Sequence, residues 1–319
     1  MSGCERIPLS VKPAVKFGRF PPDIKGVENV EHIPDGLAGA GPHVMSQARS
    51  RLCNLPAFRP VALKMLKVLA DEVAEVQELT ALLRSDPALS AEVLAVANSA
   101  FYGKRQSIDS LARAVLIMGF ERTRSLTMTV SLRSLLRHRT KTQHMEACWR
   151  HSLASALLAE ELAPLYGLPK DQAYTALLIH DSGRLGLLMA YGEWYAPVLG
   201  ARHANLAGCL ASERRLFQMD HCQAGLWLTQ QWGFPPIYSR VAGCHHDELP
   251  PTTHDLASLA QVSCQLADAL GFAAVSLAQA PSTAEIVARL PENPWAPYTF
   301  DENGLQTRIA EQIASGEMV

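Results

Sequence analysis

The chain contains no uncharged apolar run of about 18 residues, so it offers no candidate membrane span. It also lacks a Cys-x-x-Cys pair. Its seven cysteines, at positions 4, 53, 148, 209, 222, 244 and 264, are scattered and odd in number. That argues against a zinc ribbon or a disulfide framework and for a reducing, cytoplasmic setting. Basic charge is not in excess: 29 Lys and Arg stand against 31 Asp and Glu, a formal net charge of -2. A nucleic-acid footprint is therefore absent at the level of the whole chain. There is no Walker-type glycine loop, and no apolar leader precedes Cys4. Two-residue alternation of apolar positions is scarce, which excludes a central sheet.

What is present is material for a helical core. Hydrophobic residues make up 48% of the 319 positions and charged residues 19%, enough to pack two domains, or one large one with extensions. Residues 1–45 are rich in proline and glycine and read as an irregular arm. From there on, segments of helical period follow one another. Ser85 or Asp86 is placed to cap a helix with Pro87 at its first position. A further helix starts around 107–110 and stops at Gly119. Leu126, Met128, Val130 and Leu132 alternate locally, but Leu135 and Leu136 break the alternation, and the segment is read as helix. Residues 276–300 read as loop, with a short terminal helix marked by Leu305, Ile309 and Ile313. The expected fold is all-α: a smaller helical lobe over 46–140, a larger helical bundle over 141–272, and a C-terminal extension over 273–319.

Seven residues carry the chemistry: His151, His180, Asp181, His221, His245, His246 and Asp268. Imidazole and carboxylate together suit a divalent transition metal such as iron, manganese or zinc. Neighbours on a helix point about 100° apart, so His180 and Asp181 can share an ion only from a helix end or an inward face. Both sit in an apolar run, where an ionised side chain is costly unless it is paired or metal-bound. Each residue also has a plainer reading. His151 alone is a helix-face histidine with a hydrogen bond. Asp268 is a cap or a partner for Arg240, and His245-His246 is a pair at a helix C-terminus. Cys222 and Cys244, beside the proposed ligands, read as small buried hydrophobes. The basic stretch Arg113, Arg122, Arg124, Arg133, Arg137, Arg139 and Lys141 reads as the solvated face of helices rather than a nucleic-acid patch.

Four ordered motifs resemble the HDOD family (HD-related output domains). They are DPALSAEVLAVANSAFYG at 86–103, LIHDSGRL at 178–185, DHCQAG at 220–225 leading to WGFP at 232–235, and His245-His246. The resemblance spans roughly residues 48–272. It implies a bacterial signal-transduction module that acts by binding or regulation, with a signalling protein or a nucleotide second messenger as partner. The related HD-GYP phosphodiesterases imply the alternative, a metal-dependent phosphohydrolase. By that resemblance His151 matches their isolated histidine, His180 and Asp181 their His-Asp pair, and His221 with Gly225 their third element. His245 and His246 match the histidine pair, and Asp268 the late aspartate. Arg184 stands where that family has lysine, and can hold a phosphate bidentately. Asp247 to Pro251 replace the Gly-Tyr-Pro loop, which removes a substrate-binding feature. The expected site brings His180, Asp181 and Asp268 round one ion or water cluster, with His151 and at least one of His221, His245 and His246 close by.

Overall fold

The computed structural model describes residues 48–68, 76–98, 108–137, 142–250, 253–291 and 299–317. The arm expected over 1–45 lies outside them. Fifteen helices account for almost all the regular structure described. Five short ones come first: α1 (Ala48–Cys53), α2 (Pro60–Val68), α3 (Val76–Arg84), α4 (Pro87–Ala97) and α5 (Leu111–Met118). The longer α6 (Phe120–Arg137) and α7 (Gln143–Leu162) lead into α8 (Lys170–Ile179) and α9 (Ser182–Gly200). Then come α10 (Leu206–Phe217), α11 (His221–Trp232), α12 (Pro236–Cys244), α13 (Leu256–Ala267), α14 (Thr283–Val287) and α15 (Glu302–Glu317). The sheet content described is one parallel pair of two-residue strands, β1 (Arg202–His203) and β2 (Ser276–Leu277).

Local chemistry sets the helix ends. Asp86 caps α4 by accepting from Leu89 N–H, with Pro87 at the first turn where a missing N–H costs nothing. Ser110 caps α5, and Gly119 ends it at φ 79°, a conformation that glycine adopts without a Cβ penalty. Two expectations need correcting. The stretch read as loop over 276–300 contains α14, started by a Ser282–Glu285 capping box. The terminal helix is not short: α15 runs 16 residues and buries Leu305, Ile309 and Ile313.

The period-two pattern in α6 has a helical cause. Met128 and Leu132 join the large core, while Leu126 and Val130 pack into a smaller one with Met65, Leu79, Leu89 and Val115. Positions two apart on a helix are about 200° apart, so two i,i+4 stripes on opposite faces read as alternation. The basic stretch, meanwhile, is dispersed by α5 and α6. Arg124 is buried against Asp171, Arg122 pairs with Glu160 at 3.8 Å, and Arg133 lies over the Trp149 ring. Arg139 and Lys141 fall outside the described residues.

The large core surrounds α7, which buries side chains round its whole circumference, among them Trp149, His151, Leu158 and Leu162. A helix apolar on all sides belongs at the centre. Against it pack α8, α9 and α13, and α11 packs on α9. Every candidate ligand lies on or beside these elements.

Candidate metal centre

The His-Asp pair occupies a helix break. His180 closes α8, and Asp181, at φ -94° and ψ 20°, opens α9. That bridge conformation is sparsely used and recurs at functional sites. It lets two consecutive side chains turn inward. His221 is the first residue of α11, held there by the Asp220–Gln223 capping box. His245 follows the last residue of α12. Past α13 the chain widens into a π-type turn over Asp268–Phe272, closed by Gly271 at φ 90°.

Four imidazoles from these elements point at Asp181, and each has its other nitrogen committed. His151 Nδ1 donates to the Phe272 carbonyl at 3.1 Å, His180 Nδ1 to the Leu177 carbonyl, and His245 Nδ1 to the Ala242 carbonyl at 3.2 Å. His221 Nδ1 donates to Glu213 Oε2 at 2.7 Å. Where the ring is neutral, fixing Nδ1–H in this way turns the Nε2 lone pair toward Asp181, the state a metal ligand needs. His221 Nε2 and His245 Nε2 each lie 3.5 Å from Asp181 Oδ1, and His151 Nε2 lies 3.8 Å from Oδ2. His180 Nε2 and His246 Nε2 are buried without a hydrogen-bond partner among the described residues, and neither Asp181 oxygen accepts a well-aligned one. His151, His180, Asp181, His221 and His245 are all at most 2% exposed. Converging lone pairs round a buried carboxylate repel one another unless a cation sits among them.

One cation is built in. Arg184, one turn into α9 and 3% exposed, places Nε 2.9 Å from Asp181 Oδ2 and Nη2 3.2 Å from His221 Nε2. Burial pushes the Asp181 carboxyl up, but the Arg184 guanidinium outweighs it and holds the group well below the usual carboxylate range. Burial keeps His180, His245 and His246 neutral by lowering their affinity for a proton. His151 differs. Burial opposes its charge, yet Asp268 and Cys264 more than compensate and raise it.

The sequence candidates therefore fall into distinct places. His180, Asp181 and His245 bring donor atoms within 4.8 Å of one another, as do His221, Cys222, His245 and His246, and as do His151, His180 and Cys264. Asp268 Oδ1 instead contacts Nδ1 of His151 at 3.2 Å, on the ring edge away from Asp181. Its place orients that ring. Arg240 pairs with Asp255 at 3.6 Å. Arg184 turns its guanidinium inward, toward carboxylates of the protein itself.

Glu213 escaped the sequence reading. It is fully buried, accepts from the Tyr195 hydroxyl at 2.6 Å and from His221 backbone N–H at 2.9 Å, and fixes the His221 ring. Its signal was a carboxylate on the apolar stripe Cys209–Glu213–Phe217 of α10, spaced i, i+4, i+8. Burial raises its carboxyl, but His221 and then Arg184 bring it down to about 2 from the ordinary 4.5. A depressed carboxyl stabilises the fold above its unfolded value and loses that contribution as pH falls toward the folded one. Thermal unfolding of the metal-free protein should therefore fall away between pH 4.5 and about 2. Glu213→Gln should lower the neutral plateau and flatten that limb. An acid limb identical in the two proteins would remove this assignment.

The donor set fits a divalent ion of the nitrogen- and oxygen-preferring class. Its ligands would be drawn from Asp181, His245 and the neighbouring His180 and His221, with His151 adjacent. Such an ion supplies Lewis acidity and lowers the pKa of bound water.

The HDOD domain family matches residues 55–248 of the chain. An HDOD domain protein of unknown function from Geobacter sulfurreducens has a similar fold, with TM-score 0.64 and 22% identity over 86% of this chain and 96% of that one. A protein from Shewanella amazonensis SB2B, provisionally described as a phosphohydrolase, superposes with TM-score 0.60 at 22% identity, covering 85% and 96%. One from Marinobacter aquaeolei VT8, provisionally described as a signal transduction protein, gives TM-score 0.62 at 20% identity, covering 88% and 66%. An uncharacterized protein from Treponema pallidum (strain Nichols) is 21% identical over 202 residues, 62% of this chain and 38% of that protein. The chain thus spans less than half of that relative. At these identities the likeness carries the fold and no more.

Proposed function

The chain belongs to the HDOD family, and we propose that it is a bacterial signalling module that binds or regulates a partner round a closed metal centre. The observation that carries this reading is the inward commitment of the site. Five candidate ligands are at most 2% exposed, and the cation beside them, Arg184, is already paired with Asp181. A hydrolytic metal centre needs an open coordination position and groups that hold the substrate. Here the residue that would grip a phosphate neutralises the protein's own carboxylate. A groove of about 530 Å³ opens between α11 and α12, lined by Leu226, Phe234, Arg240 and Asp247. None of the candidate ligands lines it. A closed centre stabilises the surfaces that α8, α9 and α11 present, so metal loading becomes a structural signal to a protein or second-messenger partner.

The test is turnover with manganese, iron or zinc on cyclic-di-GMP, nucleoside phosphates and a generic aryl phosphodiester. The expected result is no metal-dependent rate above background on cyclic-di-GMP. Positioning alone contributes about 7–11 kcal/mol to well-oriented reactions, and the loop that would provide it after His246 is replaced by Asp247 to Pro251. Robust hydrolysis, abolished by His180→Ala combined with Asp181→Ala, would establish the phosphohydrolase instead.

A further inference from the structure

Cys222 follows His221 into the first turn of α11 and is 7% exposed. Its Sγ lies 3.6 Å from His221 Nε2 and 4.0 Å from both Nε2 and Nδ1 of His245. Those same two nitrogens each lie 3.5 Å from Asp181 Oδ1. One oxygen, two nitrogens and one sulfur thus mark four edges of a small tetrahedron. An ion bound at about 2.0 Å to nitrogen and oxygen and about 2.3 Å to sulfur sets tetrahedral N···O edges of about 3.3 Å and N···S edges of about 3.6 Å. Three of the four observed edges fall within about 0.2 Å of those lengths, and the fourth, from Sγ to His245 Nε2, is about 0.4 Å longer.

We infer that Cys222 is a metal ligand, and that with Asp181 Oδ1, His221 Nε2 and His245 Nε2 it forms a four-coordinate site selective for zinc-like ions. This rests on the metal-centre reading above and narrows it. Asp181 divides its oxygens: Oδ2 stays with Arg184 Nε, and Oδ1 faces the ion. Arg184 Nη2 gives up His221 Nε2 on loading. The Cys222 S–H bond breaks as the sulfur–metal bond forms, and the proton leaves to solvent. A thiolate in the set favours zinc over manganese, magnesium or iron. His246, whose ring lies 4.1 Å from that of His245, stays beside the ion as a reserve donor.

The experiment loads the metal-free full chain with one equivalent of cobalt, which reports sulfur ligation by a thiolate-to-cobalt charge-transfer band in the near ultraviolet. The band is expected in the unmodified protein and in Cys264→Ser, and absent from Cys222→Ser and Cys222→Ala. Equilibrium dialysis of the Cys222 variants should show cobalt still bound, weaker by at least the roughly 10–100-fold that loss of supporting partners costs. Far-ultraviolet circular dichroism confirms that each variant is folded. A band that survives Cys222→Ser, or vanishes instead in Cys264→Ser, overturns the assignment. Bound cobalt without a band in the unmodified protein overturns it too and leaves the metal centre standing. Failure to bind cobalt overturns both.

Discussion

Replacing Arg184 with methionine should cost the metal-free protein about 3–5 kcal/mol, the penalty for stranding one member of a buried ion pair. In a chain of this size each kcal/mol shifts the melting temperature by roughly 2–4 °C, so a fall of about 10 °C is expected. The cause is specific. Asp181 is 1% exposed, and the Arg184 guanidinium is its built-in counter-charge at 2.9 Å. Arg184→Lys should recover much of the loss, because it returns the charge without the planar fork. Zinc supplies the cation in another way. Added at about 100 times its dissociation constant it stabilises the folded state by about 2.7 kcal/mol. Its gain should be larger in Arg184→Met, where no guanidinium competes for Asp181 or His221. Differential scanning calorimetry with and without zinc decides the matter. A metal-free Arg184→Met protein that melts with the parent would show that the guanidinium is not what holds Asp181 ionised.

The ligand types were legible in the sequence because the residues themselves are expensive. A His-Asp pair in the apolar run before Leu185 needs a helix end or an inward face, and Asp181 has the break between α8 and α9. The all-α fold was legible for a similar reason, since capped segments of helical period leave little else to build. The partners of these groups were less visible. Which nitrogen each imidazole offers is set by the carbonyls of Phe272, Leu177 and Ala242, which no side-chain pattern encodes. Asp268 matched by order along the chain, yet the turn at Asp268–Phe272 aims it at the far edge of His151. Cys222 looked like a small hydrophobe, because its neighbours His245 and Asp181 arrive from α12 and the α8–α9 junction. Glu213 and the α6 alternation had signals of their own. Both are stripe arguments that depend on knowing which helix faces are buried.

Gly183→Ala should be the most damaging glycine-to-alanine change among the described residues, at more than about 4 kcal/mol, a range reserved for a short set of severe mechanisms. A Cβ built at Gly183 falls 1.8 Å from the His221 carbonyl oxygen and 2.6 Å from Gly225 N. Both are backbone atoms, so no rotamer change relieves the overlap, and α9 must lift off α11. This is the close approach of one backbone to another that requires glycine. The lift moves Asp181, two residues upstream, away from His221 and breaks the donor set, so zinc affinity and stability should fall together. Gly186→Ala is the internal control. Its methyl meets Leu228 Cδ1 at 2.3 Å, the movable end of a side chain, which points to an overpacking cost of about 1–3 kcal/mol with zinc binding kept. Gly225→Ala should be milder still, its nearest contact being Gly183 N at 3.3 Å. The ordering Gly183, Gly186, Gly225 in melting temperature, with zinc lost only at the first, separates a backbone seam from ordinary core crowding. A Gly183→Ala protein that keeps both its melting temperature and its zinc would mean that the metal centre does not depend on α9 touching α11.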